Sequence, residues 1–449
     1  MTEIKKELKK LGLDEDYIKN KILNDKFEIE NPKFSYDINP LKLGTGARTN
    51  QYHLQIKLKD GQVIDSFVKD YFNWGKQRNI SGKAPKDMLL AVNEVEYLEK
   101  LPGYGARVPE LYGILDTADE DGKFHHMILM EKYSHTLEEE LIKKRKMIQE
   151  AETEETKSAL RNETMNWLRR VIDVYNVDNY VLNKNRTDLP EIPEYSADDF
   201  MFDIRIYVSS ILDFVYPNRD EERKWSERHN YSNIMRSLES YVAGILGDEK
   251  EITLFNPYPA HILIKDKPNI QDSDYDPHDI TKALSRKFEK SDPYEGIAMG
   301  DLSKVSSAPT SIGLAALLNH PSVGAVLDTE NINRLVEHSL VGKKRLDEEK
   351  DLHLEDINPD ERTKYFQQYN AGARLAIIRN IYYISSLCSV DEERHKELIE
   401  ANPDKLALNV KKAFAYNINN MKKLGDQNQS FKELNAGLDA ILKKVEEHY

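Results

Sequence analysis

A chain of 449 residues with 39% hydrophobic and 32% charged content exceeds the size at which one core stays efficient, which predicts two or three packed units. Its 64 basic and 78 acidic residues leave a formal net charge of −14, which argues against a general binder of nucleic acid or of anionic membranes. The single cysteine, Cys388, excludes an internal disulfide and a thiolate zinc cluster.

Residues 1–24 read as two short helices broken at Gly12, and 1–35 as a helical extension. The opening residues carry no apolar leader core, and no stretch reaches the roughly 18–20 apolar residues of a membrane span, so a cytoplasmic chain is expected. Tyr52, Leu54, Ile56 and Leu58 alternate with His53, Gln55 and Lys57, the period-two pattern of a half-buried strand. Asp60-Gly61 signals a hairpin turn, and 63–68 returns as the next strand. A helix follows over 86–101, then a loop at 102–109 and two strands near 111–115 and 126–130. Strands, helix, strands in that order describe a small, mostly antiparallel sheet with one helix packed on it.

After Tyr133 the pattern turns helical: 137–180, 198–214 within a loop-rich stretch, 231–246, and everything beyond about 310. Short strands interrupt it at 252–255, 262–264 and 269–271, the last two joined by a turn at 265–268. Phe366, Tyr369, Ala373, Ile377, Ile381 and Ile384 recur at helical spacing, a core-facing stripe. The expected fold class is α+β with two lobes: a sheet lobe over 36–133 and a helical lobe over 134–449, which carries a loop segment at 252–276.

Four places carry chemistry. Gly44 and Gly46, between two predicted strands, let the backbone approach phosphate oxygens closely; an ordinary hairpin turn uses the same residues. The absence of a Gly-Lys-Ser/Thr ending excludes a Walker loop. Lys69 ends the second strand. Glu94 shares the apolar face of its helix with Leu90, Ala91, Leu98 and Leu101, whereas Glu96 points about 200° away. A carboxylate aimed into a core needs a partner, and Lys69 is the candidate. Finally, Phe255, Asn256, Pro257, Tyr258, Pro259, Ala260 and His261 form a constrained loop between strands, followed by Asp272, a carboxylate suited to magnesium.

Taken together, residues from about 40 to 400 resemble the protein-kinase-like superfamily, in the branch of aminoglycoside phosphotransferases and choline kinases. The resemblance implies a two-lobed fold using ATP and magnesium. Lys69 would hold nucleotide phosphates, Glu94 would pair with it, the backbone around Glu131 would meet the adenine edge, and Asp272 would bind metal. Asn256 would stand where the family has its Asp base, and His261 where it has an Asn metal ligand. An Asn amide cannot take up a proton, and imidazole suits transition metals better than magnesium. The expectation is therefore a nucleotide-binding protein with impaired or rerouted phosphoryl transfer and a regulatory or scaffolding role. An active phosphotransferase on a small-molecule hydroxyl and a helical interaction protein without nucleotide are the alternatives. Expected partners are a nucleotide and a small-molecule or protein acceptor, with no nucleic acid and no membrane.

Overall fold

The computed structural model describes residues 41–45, 50–57, 63–71, 86–118, 124–216, 218–247, 251–255, 257–265, 275–276, 280, 294, 296–390, 396, 399–400, 403–405, 409–424 and 428–448. The expected helices of 1–24, the turn at Asp60-Gly61 and the strand at 269–271 lie outside the described residues. Among the described residues, no helix is long and apolar enough to cross a membrane.

The α+β, two-lobed architecture is present. Five strands, β1 (Leu41–Thr45), β2 (Asn50–Lys57), β3 (Val63–Tyr71), β4 (Leu111–Ala118) and β5 (Phe124–Glu131), form one antiparallel sheet in the order β1-β2-β3-β5-β4. In the β2–β3 register Leu54 lies opposite Ser66. Helix α1 (Lys86–Lys100) follows β3 in sequence and buries Ala91, Val95 and Leu98 together with Tyr71, Ile128 and Met130 of the sheet. One apolar face on each element drives this packing.

The helical lobe is organised around α3 (Glu154–Lys184), which follows α2 (Leu137–Glu150). Positions 175, 179 and 183 of α3 fall on one face at a spacing of four and hold the short strand β7 (Ile252–Leu254), Asn179 and Asn183 by its backbone and Tyr175 through the Thr253 hydroxyl. Asn183 donates from Nδ2 to Ile252 O and accepts at Oδ1 from Ile252 N, both at 2.8 Å. Asn179 Oδ1 accepts from Leu254 N at 2.8 Å, and Tyr175 donates to Thr310 O at 2.7 Å. The other edge of β7 pairs with β10 (Val305–Ser307). Both edges of a three-residue strand are thus satisfied inside a core, which fixes the segment leading into the 256–261 loop.

A second small sheet joins β6 (His135–Thr136), β8 (Ile262–Ile264) and β9 (Ile297–Met299). β8 is therefore flanked by β6 on one edge and by β9 on the other. The helices α4 (Ala197–Val215), α5 (Arg219–Arg228), α6 (Tyr231–Leu246), α7 (Thr310–Leu318), α8 (Thr329–Glu348), α9 (Pro359–Val390), α10 (Val410–Lys423) and α11 (Gln429–His448) complete the lobe. One core runs from the sheet face through α1, α3, β7–β10 and α8; a second gathers α4, α5, α6, α9, α10 and α11. The predicted stripe on α9 is real: Tyr369, Ala373, Ile377, Ile381 and Ile384 are buried. Helix α5 is almost wholly charged and escaped the periodicity reading. It is anchored by buried Trp225, whose Nε1 donates to Gly437 O on α11 at 3.2 Å.

Candidate active site

Lys69 and Tyr71 share one face of β3, and α1 sets Glu94 beneath them. Glu94 is fully buried, and Lys69 Nζ donates to both of its carboxylate oxygens at 2.9 Å. Tyr71 also donates its hydroxyl to Glu94 Oε2. Glu96, on the opposite side of the helix, keeps a side chain 40% exposed. The helical-face argument thus separates the two glutamates correctly.

The same ammonium reaches across to the helical lobe. Lys69 Nζ donates to Asp301 Oδ1 at 2.9 Å, and that oxygen also accepts from Ser303 Oγ at 2.7 Å. Asp301 Oδ2 lies 3.3 Å from His261 Nδ1. Backbone pairing explains the encounter. In β8–β9, Ile262 opposes Met299, and one step further Gly300 N donates to His261 O at 2.8 Å. A Cβ on Gly300 would come within 2.8 Å of Leu263 Cγ and 3.0 Å of His261 O, so glycine suits the close approach that brings Asp301 beside His261.

Two carboxylates compete for one ammonium, and they are driven apart. Burial opposes ionisation of Asp301, but Lys69, His261 and the Ser303 hydrogen bond outweigh it and hold the carboxyl well below the usual range. Glu94 goes the other way: burial raises it, aided by the nearby Asp301 charge, despite Lys69 and Tyr71. Lys69 is raised well above its ordinary value because Asp301 and Glu94 more than offset its desolvation. Burial and Glu94 push the Tyr71 hydroxyl upward too, so it remains a donor.

The structure brings Lys69, Glu94 and His261 together. Of the predicted glycines, Gly44 lies in β1 beside a register irregularity, paired with Gln51, while Gly46 lies outside the described residues. Glu131 ends β5; its backbone N donates to Glu110 O at 2.8 Å, and its side chain is ion-paired with Lys265 at the end of β8. Asn256 and Asp272 lie outside the described residues. The carboxylate that meets Lys69 is Asp301, which the sequence reading missed. Its signal was present as an apolar triplet, Ile297, Ala298 and Met299, closed by Gly300-Asp301.

In chemical terms, the cleft offers an ammonium for phosphate oxygens and an ionised carboxylate for a hard dication. Magnesium is bound by one or two carboxylates together with substrate phosphates, which Asp301 fits; the His261 nitrogen does not suit that ion.

No protein-family model matches the chain, and no curated protein matches it. Solved phosphotransferases are similar to it in outline. An aminoglycoside phosphotransferase mutant in complex with GDP aligns with 12% identity over 87% of this chain and 97% of its own, with a TM-score of 0.41. A Plasmodium vivax ethanolamine kinase aligns with 9% identity over 84% and 83%, with a TM-score of 0.40. A glucosamine kinase in complex with glucosamine, ADP and inorganic phosphate aligns with 11% identity over 88% and 80%, with a TM-score of 0.38.

Proposed function

We propose that this chain is a nucleotide-binding protein of phosphotransferase type whose transfer step is slowed or rerouted, with a regulatory role for the nucleotide-bound state. One observation carries the reading: Lys69, Glu94 and Asp301, remote in sequence, converge at 2.9 Å where the sheet meets the helical lobe. A buried ammonium held by two acidic groups is costly to desolvate, and clusters of strongly perturbed groups in a cleft are characteristic of functional sites.

On this reading Lys69 donates to the phosphates of the nucleotide, and Glu94 keeps the ammonium from swinging away. Tyr71 fixes Glu94 in turn by donating to its second oxygen. Asp301 would hold the dication that accompanies the nucleotide, which supplies charge neutralisation at the phosphates. The acceptor side lacks a proton-accepting side chain at Asn256. General-base assistance is worth about 10²–10⁴-fold, so slow turnover rather than none is expected.

The test is thermal unfolding with and without ATP and magnesium. Ligand at about 100-fold over its Kd stabilises by about 2.7 kcal/mol, which raises the melting temperature. The wild type should show that rise and Lys69→Ala should lose it. No rise in the wild type with any purine nucleoside triphosphate refutes the proposal and leaves the helical interaction protein as the better description.

A further inference from the structure

An antiparallel sheet can leave one face to water, but the five-stranded sheet is buried on both. Helix α1 covers the face that carries Tyr71, Ile128 and Met130. By alternation, Val68 and Asp70 of β3 and His125, Met127 and Leu129 of β5 lie on the other face, with Leu54 of β2 alongside. None of these six is more than 4% exposed, so an element must lie across them. Among the described residues, neither core sets a helix on this face. Asp70 is fully buried there; its Oδ2 lies 2.8 Å from His125 Nδ1, and Oδ1 lacks a hydrogen-bond partner among the described residues. A buried carboxylate oxygen calls for a donor from whatever covers it.

We propose that this face is the docking surface of the chain's own residues 1–24, laid on it as two short amphipathic helices. Residues 1–40 lie outside the described residues and run directly into Leu41, the first residue of β1 at the edge of the same sheet. Ile4, Leu8 and Leu11, and then Ile18 and Ile22 beyond Gly12, recur at helical spacing, so each helix carries an apolar stripe that needs a surface. Lys5, Lys9 and Lys10 flank the first stripe and supply donors for Asp70. The link from Tyr71 to Lys86 leads instead to the opposite face, where α1 packs. Lys69 stands between Val68 and Asp70 in β3, so the docked segment backs the strand that carries the ammonium of the candidate site. Displacing the segment would uncover that strand, which makes the N-terminal stretch a point of control over the Lys69 cluster.

The experiment uses the full chain carrying Cys388→Ser, so that an introduced thiol is the only one. With Val68→Cys added, that thiol should react slowly with a maleimide; Leu8→Asp and Ile18→Asp together should speed the labelling by about ten-fold or more. Leu54→Cys repeats the comparison should the first variant fail to fold. A photo-reactive benzophenone side chain placed at Leu8 gives a second readout that disturbs no described residue. Irradiation of a mixture of isotope-labelled and unlabelled chains should join that position to a peptide of β2, β3 or β5 within the same chain. Labelling that is fast from the outset, or that the stripe substitutions leave unchanged, overturns the docking. So does a cross-link to the helical lobe, and a cross-link between chains overturns it by assigning the face to a second copy.

Discussion

Lys69→Met isolates the central charge, because it keeps most of the side-chain volume and removes the ammonium. In the wild type that ammonium satisfies fully buried Glu94 and mostly buried Asp301 at 2.9 Å. Removing one partner of a buried ion pair leaves an uncompensated charge and costs about 3–5 kcal/mol. The pH dependence of that loss follows from the directions of the shifts. Asp301 lies below its unfolded value, so its contribution to stability is full above about 3.9 and is lost as pH falls through the folded value. Glu94 lies above its unfolded value, so its contribution is full below about 4.3 and is lost as pH rises through the folded value. Without Lys69 both carboxyls move upward, since the charge that lowers each has gone. The variant should therefore melt well below the wild type at pH 8, and the gap should narrow at pH 5.5 as the buried carboxyls take up protons. Circular dichroism melts at the two pH values measure this, with the nucleotide-induced rise as a second readout. A variant that melts with the wild type at both pH values, or a gap that widens toward acid, would refute the account of the cluster.

Asp301→Asn should keep the chain folded but remove the cation-dependent part of the nucleotide-induced rise. It should also flatten the acid limb below about pH 4, where the wild type loses the Asp301 contribution; an unaltered metal requirement in calorimetry contradicts this. Asn183→Leu strips both backbone partners from Ile252, and at about 1–3 kcal/mol for each unsatisfied group it should lower the melting temperature markedly. Asn185→Leu, which removes a single bond to Val181 O within its own helix end, is the mild control in the same melts. Asn256→Asp should raise the rate of ATP turnover by about 10²–10⁴-fold over a slow wild-type rate. An unchanged rate would mean that proton removal does not limit the reaction.

Local pattern made most of the sheet lobe legible. Period-two alternation located β2, a turn signal placed β3 after it, and the helical face of α1 separated buried Glu94 from exposed Glu96. Asp301 was not legible because strand pairing, rather than nearness in sequence, decides which carboxylate arrives. β9 arrives beside β8 from some thirty residues further along the chain, and Asp301 follows it. The asparagine ladder of α3 was hidden for a related reason. Asn179 and Asn183 look like solvent-facing polar residues in a helix, and only the passage of β7 past that face gives them buried backbone partners. Tyr71 lay beyond the strand as read from the sequence, and its bond to Glu94 depends on where the following helix docks.

The charge balance of the cleft links these observations to function. One ammonium faces two carboxylates, Glu94 fully buried and Asp301 mostly so, so acidic groups outnumber the ammonium in this cluster. Replacing such a group with apolar side chains is commonly neutral or stabilising, so packing alone supplies no reason for it to be there. A dication held by Asp301 would offset that acidic charge and release Lys69 for the phosphates. The residues that depart from the kinase-like pattern, Asn256 and His261, both belong to the loop that would handle the acceptor's proton and the metal. Lys69 and Glu94 follow that pattern and are completed by Asp301 and Tyr71. A protein that holds a nucleotide firmly and transfers its phosphoryl group slowly is what that division predicts, because phosphate binding depends on the intact charges and proton removal on the altered loop.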